Sequence, residues 1–242
     1  LIFRGVDFSN HFRILDIRRG ILPPLDVKIK KIPGRAGVII ANQEKKSNII
    51  EEDIIEVDIE LMENSKSLLR SKIREVAFKL IGTNKDKLIL ADEPDKYDLA
   101  ILTGDTNLKE IYTIGTTTLR FLRPEAISYG DIVTEPLDGL LATNNGTYES
   151  KGIITVQFNS NSSYLDITLL DTGEFLYLEH DFNINDEVVI DLEKESIRKN
   201  GSLIMDDLYL DSDFFAIPVG NYEIDIKPID VTASLSYIER WL

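Results

Sequence analysis

Where the acid lies along this chain limits its fold more than any single motif. Residues 1–130 hold 21 Lys and Arg against 20 Asp and Glu, whereas residues 131–242 hold 6 against 22. A shift this abrupt near Gly130 predicts two domains, 1–130 and 131–242, each of ordinary domain size. The net charge of −15 over 242 residues opposes nucleic-acid phosphates, so no specific nucleic-acid partner is expected. The absence of cysteine excludes a disulfide framework, a thiolate metal site and a cysteine nucleophile. No more than four apolar residues run consecutively, so no membrane-spanning helix, membrane partner or signal-peptide core is expected. The chain starts at Leu1 rather than Met, which leaves targeting open.

Apolar periodicity divides the first half into strands and one helix. In Asp53–Leu61 the residues Ile55, Val57, Ile59 and Leu61 face one side and Glu56, Asp58 and Glu60 the other, the pattern of a half-buried antiparallel strand. A helix is predicted over 65–81, capped by Asn64 or Ser65, with Leu69, Ile73, Val76 and Leu80 on its apolar stripe. Glu75 and Lys79 form an i,i+4 pair on it, and Gly82 is expected as a left-handed stop. Strands are also predicted at Phe3–Phe8, Phe12–Arg19, Val38–Ala41, Lys87–Ala91, Tyr97–Thr103, Leu108–Ile114 and Thr116–Leu122. Pro33-Gly34, Glu93-Pro94-Asp95, Gly104-Asp105 and Gly115 are the expected breaks.

The second half shows no useful helical period. Strand-like segments recur at Gly152–Phe158, Tyr164–Leu170, Glu174–Leu178, Glu187–Leu192, Ser196–Lys199, Phe214–Ile217, Tyr222–Lys227 and Val231–Trp241. Short strands at this spacing predict an antiparallel β-sandwich of jelly-roll type. The fold class is therefore mainly β, a sheet or sandwich carrying a single helix followed by a second sandwich. Whether the last strand, 231–242, returns to the first domain is left open by the pattern.

Catalytic constellations are hard to find. There is no phosphate loop, nucleophile elbow, zinc-protease motif or dinucleotide fingerprint, and His11 and His180 fall in different predicted domains. A glycosidase needs two carboxylates in a cleft that usually contains stacking aromatics, and the only tryptophan is Trp241, near the end of the chain. The acidic run Asp206–Asp213 offers oxygen ligands for Ca²⁺ but lacks the regular loop spacing, so a solvated loop is the simpler reading. Asn145-Gly146-Thr147 and Asn161-Ser162-Ser163 match the glycosylation triplet and are read as turns. No enzyme, metal or cofactor is expected. A sandwich can also bind carbohydrate, and Tyr148, Tyr164, Tyr177, Tyr209 and Tyr222 are the residues available to stack on sugar faces.

Several short motifs share an order along the chain. Asp92-Glu93-Pro94-Asp95-Lys96-Tyr97 resembles the Asp-Glu-Pro-Asp-Arg-Tyr-Tyr turn of the distal tail protein (Dit) family of siphophages and related prophages, with Lys96 for the Arg and Asp98 for the second Tyr. Pro33-Gly34-Arg35-Ala36-Gly37 is similar to that family's Pro-Gly-Arg-Asp-Gly turn, and Phe121–Ala126 to the segment closing its N-terminal domain. Asn145-Gly146-Thr147, Asn200-Gly201, Phe214–Asn221 and Ile238–Leu242 follow in the family's order, although Val219 interrupts the usual Pro-Gly-Asn.

The resemblance implies a non-enzymatic structural protein at the virion tail tip, made in the host bacterial cytoplasm. It implies a homo-hexameric ring of N-terminal domains around a channel, with galectin-like C-terminal sandwiches projecting outward. Its implied partners are the tail tube protein, the tail-tip spike or fibre protein, and a receptor-binding protein or cell-wall carbohydrate. The charge division suits that picture, since a near-neutral half can pack against copies of itself while a strongly acidic half is better kept apart. The second reading, that of a carbohydrate-binding protein acting through the sandwich, stays open beside it.

Overall fold

Alternating side chains account for the first sheet. The computed structural model describes residues 1–25, 28–34, 36–40, 50–137, 139 and 141–242, and it divides into two compact units, Leu1–Ser128 with Leu242, and Tyr129–Trp241. The first unit opens with β1 (Ile2–Phe3), β2 (Val6–Asp7), β3 (Arg13–Arg18) and the short pair β4 (Ile29–Lys30) and β5 (Ile39–Ile40). Then comes β6 (Asp53–Met62), whose Ile55, Val57, Ile59 and Leu61 are all buried. Burying side chains of this size stabilises by roughly 1.5–3 kcal/mol each, and a one-residue slip would expose all four, which pins the register.

Helix α1 (Lys66–Leu80) follows. Ser65 is its N-cap, its Oγ accepting from the Leu68 N–H at 3.3 Å, and Leu69, Val76 and Leu80 join the core beneath it. Lys79 Nζ donates to Glu75 Oε1 at 2.8 Å along the exposed side. The expected left-handed stop at Gly82 is not what ends the helix. Ile81 turns extended (φ −65°, ψ 132°) while its N–H still bonds to Ala77 O, and Gly82 keeps a negative φ.

The remaining strands of this unit are β7 (Asp86–Ile89), β8 (Tyr97–Thr103), β9 (Lys109–Ile111) and β10 (Ile114–Arg123). Strand β10 pairs antiparallel with β6 over their whole length, from Ile114↔Met62 to Arg123↔Asp53, and β3 flanks β6 on its other edge. On its far side β10 pairs with β8, β8 with β7, and β7 with β1.

Two strand expectations fail here. Phe3–Phe8 is a hairpin, since Arg4 and Gly5 both take positive φ (55° and 74°) in a two-residue turn. Leu108–Ile114 is likewise broken, at Tyr112-Thr113 with Tyr112 at φ 56°, while Gly115, expected as the break, lies inside β10. A Cβ at Gly115 would come within 3.2 Å of Leu108 Cδ1, so close packing, not a turn, accounts for glycine there. The predicted strand Val38–Ala41 is observed as β5, and Ala41 lies outside the described residues.

In the second unit two sheets face each other across one apolar core. Strands β11 (Ser128–Pro136), β12 (Ala142–Asn144), β13 (Gly152–Phe158), β14 (Ser162–Leu169), β15 (Phe175–Phe182), β16 (Glu187–Asp191), β17 (Ser196–Lys199) and β18 (Ser202–Leu203) precede β19 (Gly220–Tyr222), β20 (Ile224–Lys227) and β21 (Val231–Trp241). The larger sheet runs β18-β17-β16-β13-β21-β11 and the smaller β15-β14-β20, with β12 and β19 as a separate pair. Between them lie Val156, Phe158, Ile167, Leu176, Ile190, Phe215 and Leu235, all buried.

Three expectations need revision in this unit. Phe214–Ile217 is not a strand, because only Ile217 bridges, to Ser150, while Phe215 and Ile217 fill the core. Tyr222–Lys227 divides at Glu223, so that Tyr222 ends the β12–β19 pair and Ile224–Lys227 joins β14. Strand β15 also extends to Phe182, four residues beyond the predicted Leu178.

Candidate assembly surfaces

The first unit carries a ladder of charge on the solvent face of β3, β6 and β10. Arg18 forks onto Asp58 with Nη1–Oδ2 at 2.5 Å and Nη2–Oδ1 at 3.0 Å, and its Nε reaches Glu56 Oε2 at 3.2 Å. Arg120 approaches Glu56 from the other strand at 2.8 Å, and Thr118 Oγ1 donates to Asp58 at 2.5 Å. The Arg18 and Thr118 hydrogen bonds pull the Asp58 carboxyl down to about 2. Arg120, then Arg18, likewise hold Glu56 below the usual carboxylate range. With both signs paired across three strands, this face presents polarity at little net charge.

The Asp92–Tyr97 motif makes two successive turns between β7 and β8. Glu93 N–H donates to Leu90 O and Lys96 N–H to Glu93 O, with Pro94 at the position whose fixed φ suits such a turn. Arg19 holds the loop, its Nη1 on Glu93 Oε2 and its Nη2 on Asp92 Oδ2, both at 2.6 Å. Lys96 Nζ lies 3.4 Å from Asp95 Oδ2, and Lys87 Nζ sits 3.9 Å from the Tyr97 ring centroid. The other motif residues, Pro33, Gly34 and Gly37, lie at the exposed tip between β4 and β5, while Arg35 falls outside the described residues. Gly34 and Gly37 take φ of 81° and 91°, which only glycine adopts without strain.

Asp98, just after the Asp92–Tyr97 motif, is buried. It accepts from Arg123 Nη1 at 2.9 Å, and from Ser128 Oγ at 2.7 Å, while Arg123 Nη2 reaches Asp53 Oδ2 at 2.5 Å. Burial works against the Arg123 charge, but Asp53 and Asp98 outweigh it and raise its pKa. The three residues are far apart in sequence, and no local signal links them.

The first unit also leaves apolar side chains uncovered. Ile21, Leu22, Leu25, Ile29, Ile32 and Val38 are all exposed, Ile21 at 98%. On α1, Phe78 is 81% exposed, and Ile81 is exposed just beyond it. A groove of about 280 Å³ opens between α1 and the sheet, lined by Ile73, Ala77, Leu102 and Leu108 among others. Exposed apolar side chains concentrated in this way mark surfaces that associate.

The five tyrosines read as candidates for stacking on sugar separate into two groups in the second unit. Tyr148 and Tyr222 are buried, so neither offers a face to a sugar; Tyr222 OH donates to Glu135 Oε2 at 2.8 Å. Tyr164, Tyr177 and Tyr209 come together on the outer side of β14 and β15. His180 bridges Asp207 and Lys199, at 3.0 and 3.2 Å, and His11 meets Lys79 and Glu75 in the first unit. Asp207 is thus engaged by His180, and among the described residues no three acidic or histidine side chains gather as a metal site would require. Asn145 bonds Glu239 Oε1, and Asn161 Oδ1 accepts from Ile184 N–H, so both triplets serve loop structure.

Comparisons with known proteins match both units. A family model described as the phage tail protein RIFT-related domain matches residues 9–123, and one described as the siphovirus-type tail component, C-terminal domain, matches 145–241. The distal tail protein of Bacillus phage SPP1 is 23% identical over 222 residues, covering 90% of this chain and 86% of that protein. A crystal structure of SPP1 Dit, described as a paradigm of hub adsorption apparatus in phages infecting Gram-positive hosts, superposes with a TM-score of 0.85. That match is at 19% identity and covers 100% of this chain and 98% of the other.

Proposed function

Because the chain belongs to the Dit family of siphovirus-type tail components, we propose that it is the hub of a phage tail tip, built as a homo-hexameric ring. The protein is a structural component of a phage tail. In the proposed assembly the first units close the ring, which joins the tail tube to the tail-tip spike or fibre and to the adsorption apparatus. The second units stand outward in solvent, and the protein performs no catalysis. The observation that carries the reading is the pair of tail-component matches spanning both units in order.

The surface chemistry supports this division of labour. The first unit is close to neutral and carries uncovered apolar side chains at Ile21–Val38 and on α1. Those groups gain from burial against a neighbour, and near-neutrality keeps the repulsion among the copies small. A ring of this kind uses a heterologous contact, one patch meeting a different patch on the next copy, so rotation must close it.

Negative-stain imaging and sedimentation of the purified protein, alone and with tail-tube and tail-spike proteins, test the reading. A six-fold ring with peripheral lobes is expected, and Phe78→Asp should weaken it. A protein that stays monomeric alone and with both partners overturns the assignment.

A further inference from the structure

We propose that Tyr164, Tyr177 and Tyr209 form a binding platform for a neutral polysaccharide on the outer face of the second unit. This goes beyond the hub reading and does not depend on ring formation. Tyr164 projects from β14 and Tyr177 from β15, their ring centroids 6.1 Å apart and their planes 23° from parallel. Tyr209 stands at 90° to Tyr177, again at 6.1 Å, so it forms a wall beside the stacked pair. The wall is held in place, since Tyr209 N–H donates to Tyr177 O at 2.9 Å and Tyr177 N–H to Ser212 Oγ at 3.0 Å.

The hydroxyls distinguish this group from the core tyrosines. Tyr222 OH and Tyr237 OH both donate within the protein, to Glu135 and to Thr143 O. None of the three platform hydroxyls has a hydrogen-bond partner among the described residues, although Tyr209 is 53% exposed. Tyrosines whose rings are arranged and whose polar ends are left free suit a ligand with one apolar face and many hydroxyls. The C–H face of a pyranose lies on such a ring while its hydroxyls reach phenols and carboxylates at the edge.

Charge selects among saccharides. In the sheet register Asp166 stands opposite Tyr177 and Glu179 opposite Tyr164, with Asp225 one strand further on β20. Lys227 is the cation among them, 3.1 Å from Asp225 and within 4.0 Å of Asp166. Such a face accepts hydrogen bonds from hydroxyls and repels phosphate- or carboxylate-bearing polymers.

Affinity electrophoresis of the full chain tests this, using gels that contain a neutral glucan, galactan, mannan or rhamnan, with a glycerol-phosphate teichoic acid in parallel. At least one neutral polymer should retard the protein and teichoic acid should not. Tyr209→Ala, on an exposed loop, should weaken that retardation about tenfold, and Met62→Ala at the exposed end of β6 in the other unit should leave it unchanged. No retardation by any neutral polymer overturns the proposal. So does retardation by teichoic acid alone, or retardation that survives the Tyr164→Ala/Tyr209→Ala double substitution in a chain whose circular dichroism is unchanged.

Discussion

In the first unit a helix covers the apolar face of a sheet, whereas in the second unit another sheet does. Helix α1 contributes Leu69, Val76 and Leu80 to its core but leaves Phe78 and Ile81 in water, and among the described residues the Ile21–Val38 stretch adds six more exposed apolar side chains. In the second unit β13, β16 and β21 close over β14, β15 and β20, and its exposed apolar side chains are spaced out along the chain. Its charge is strongly negative where the first unit's is nearly balanced and cross-paired. The contrast separates two uses of surface: a balanced, partly apolar one suits contact between copies, and an acidic one discourages it.

If the units are energetically independent, core damage in one should leave the other intact. Phe158→Ala removes a ring stacked on Phe182 at 4.3 Å, and should cost about 3–5 kcal/mol. Denaturant unfolding followed by Trp241 fluorescence should report that loss, while the helical signal of α1 in far-UV circular dichroism keeps its midpoint. A common shift in both probes would break the comparison.

The mirror experiment uses the buried cluster of the first unit. Arg123→Ala leaves Asp53 and Asp98 without their cation, a loss of about 3–5 kcal/mol. Here the helical signal should move and Trp241 should not.

Acid should act on both units through different carboxylates. Asp58 and Asp186 titrate near 2 in the folded chain, Asp58 chiefly because of Arg18 and Asp186 because of the Asn183 N–H, then Asn200 and Lys199. Both values lie below the ordinary 3.8, so the stability they contribute is complete above about pH 4 and is lost as pH falls toward 2. Asp58→Asn should flatten that slope in the helical signal alone, and Asp186→Asn in the Trp241 signal alone. The smallest effect expected is that of Ser65→Ala, about 1 kcal/mol from a lost cap, visible only by the helical probe.

Some of this architecture is legible residue by residue. Strands β8, β13, β17 and β21 begin and end where the short apolar segments between turn signals place them, and α1 differs from its predicted span by one residue at each end. The turn at Tyr112 is not legible, because Gly115 carries the stronger turn signal yet is needed for close packing against Leu108. Strand β11 escapes the pattern as well, since Ser128–Pro136 alternates weakly and contains a glycine and a proline.

By itself, then, the sequence determined which side chains face inward along β6, where the helix lies, and that acid collects in the second half. These depend on periods of two and 3.6 residues, or on counting, and a short window contains them. The tertiary structure alone decided that Arg123 lies between Asp53 and Asp98, and that Tyr164, Tyr177 and Tyr209 meet while Tyr148 is buried. Those groupings follow from which strands neighbour each other and in what register. Backbone hydrogen bonds between distant segments set that register, and no local stretch of residues specifies both partners.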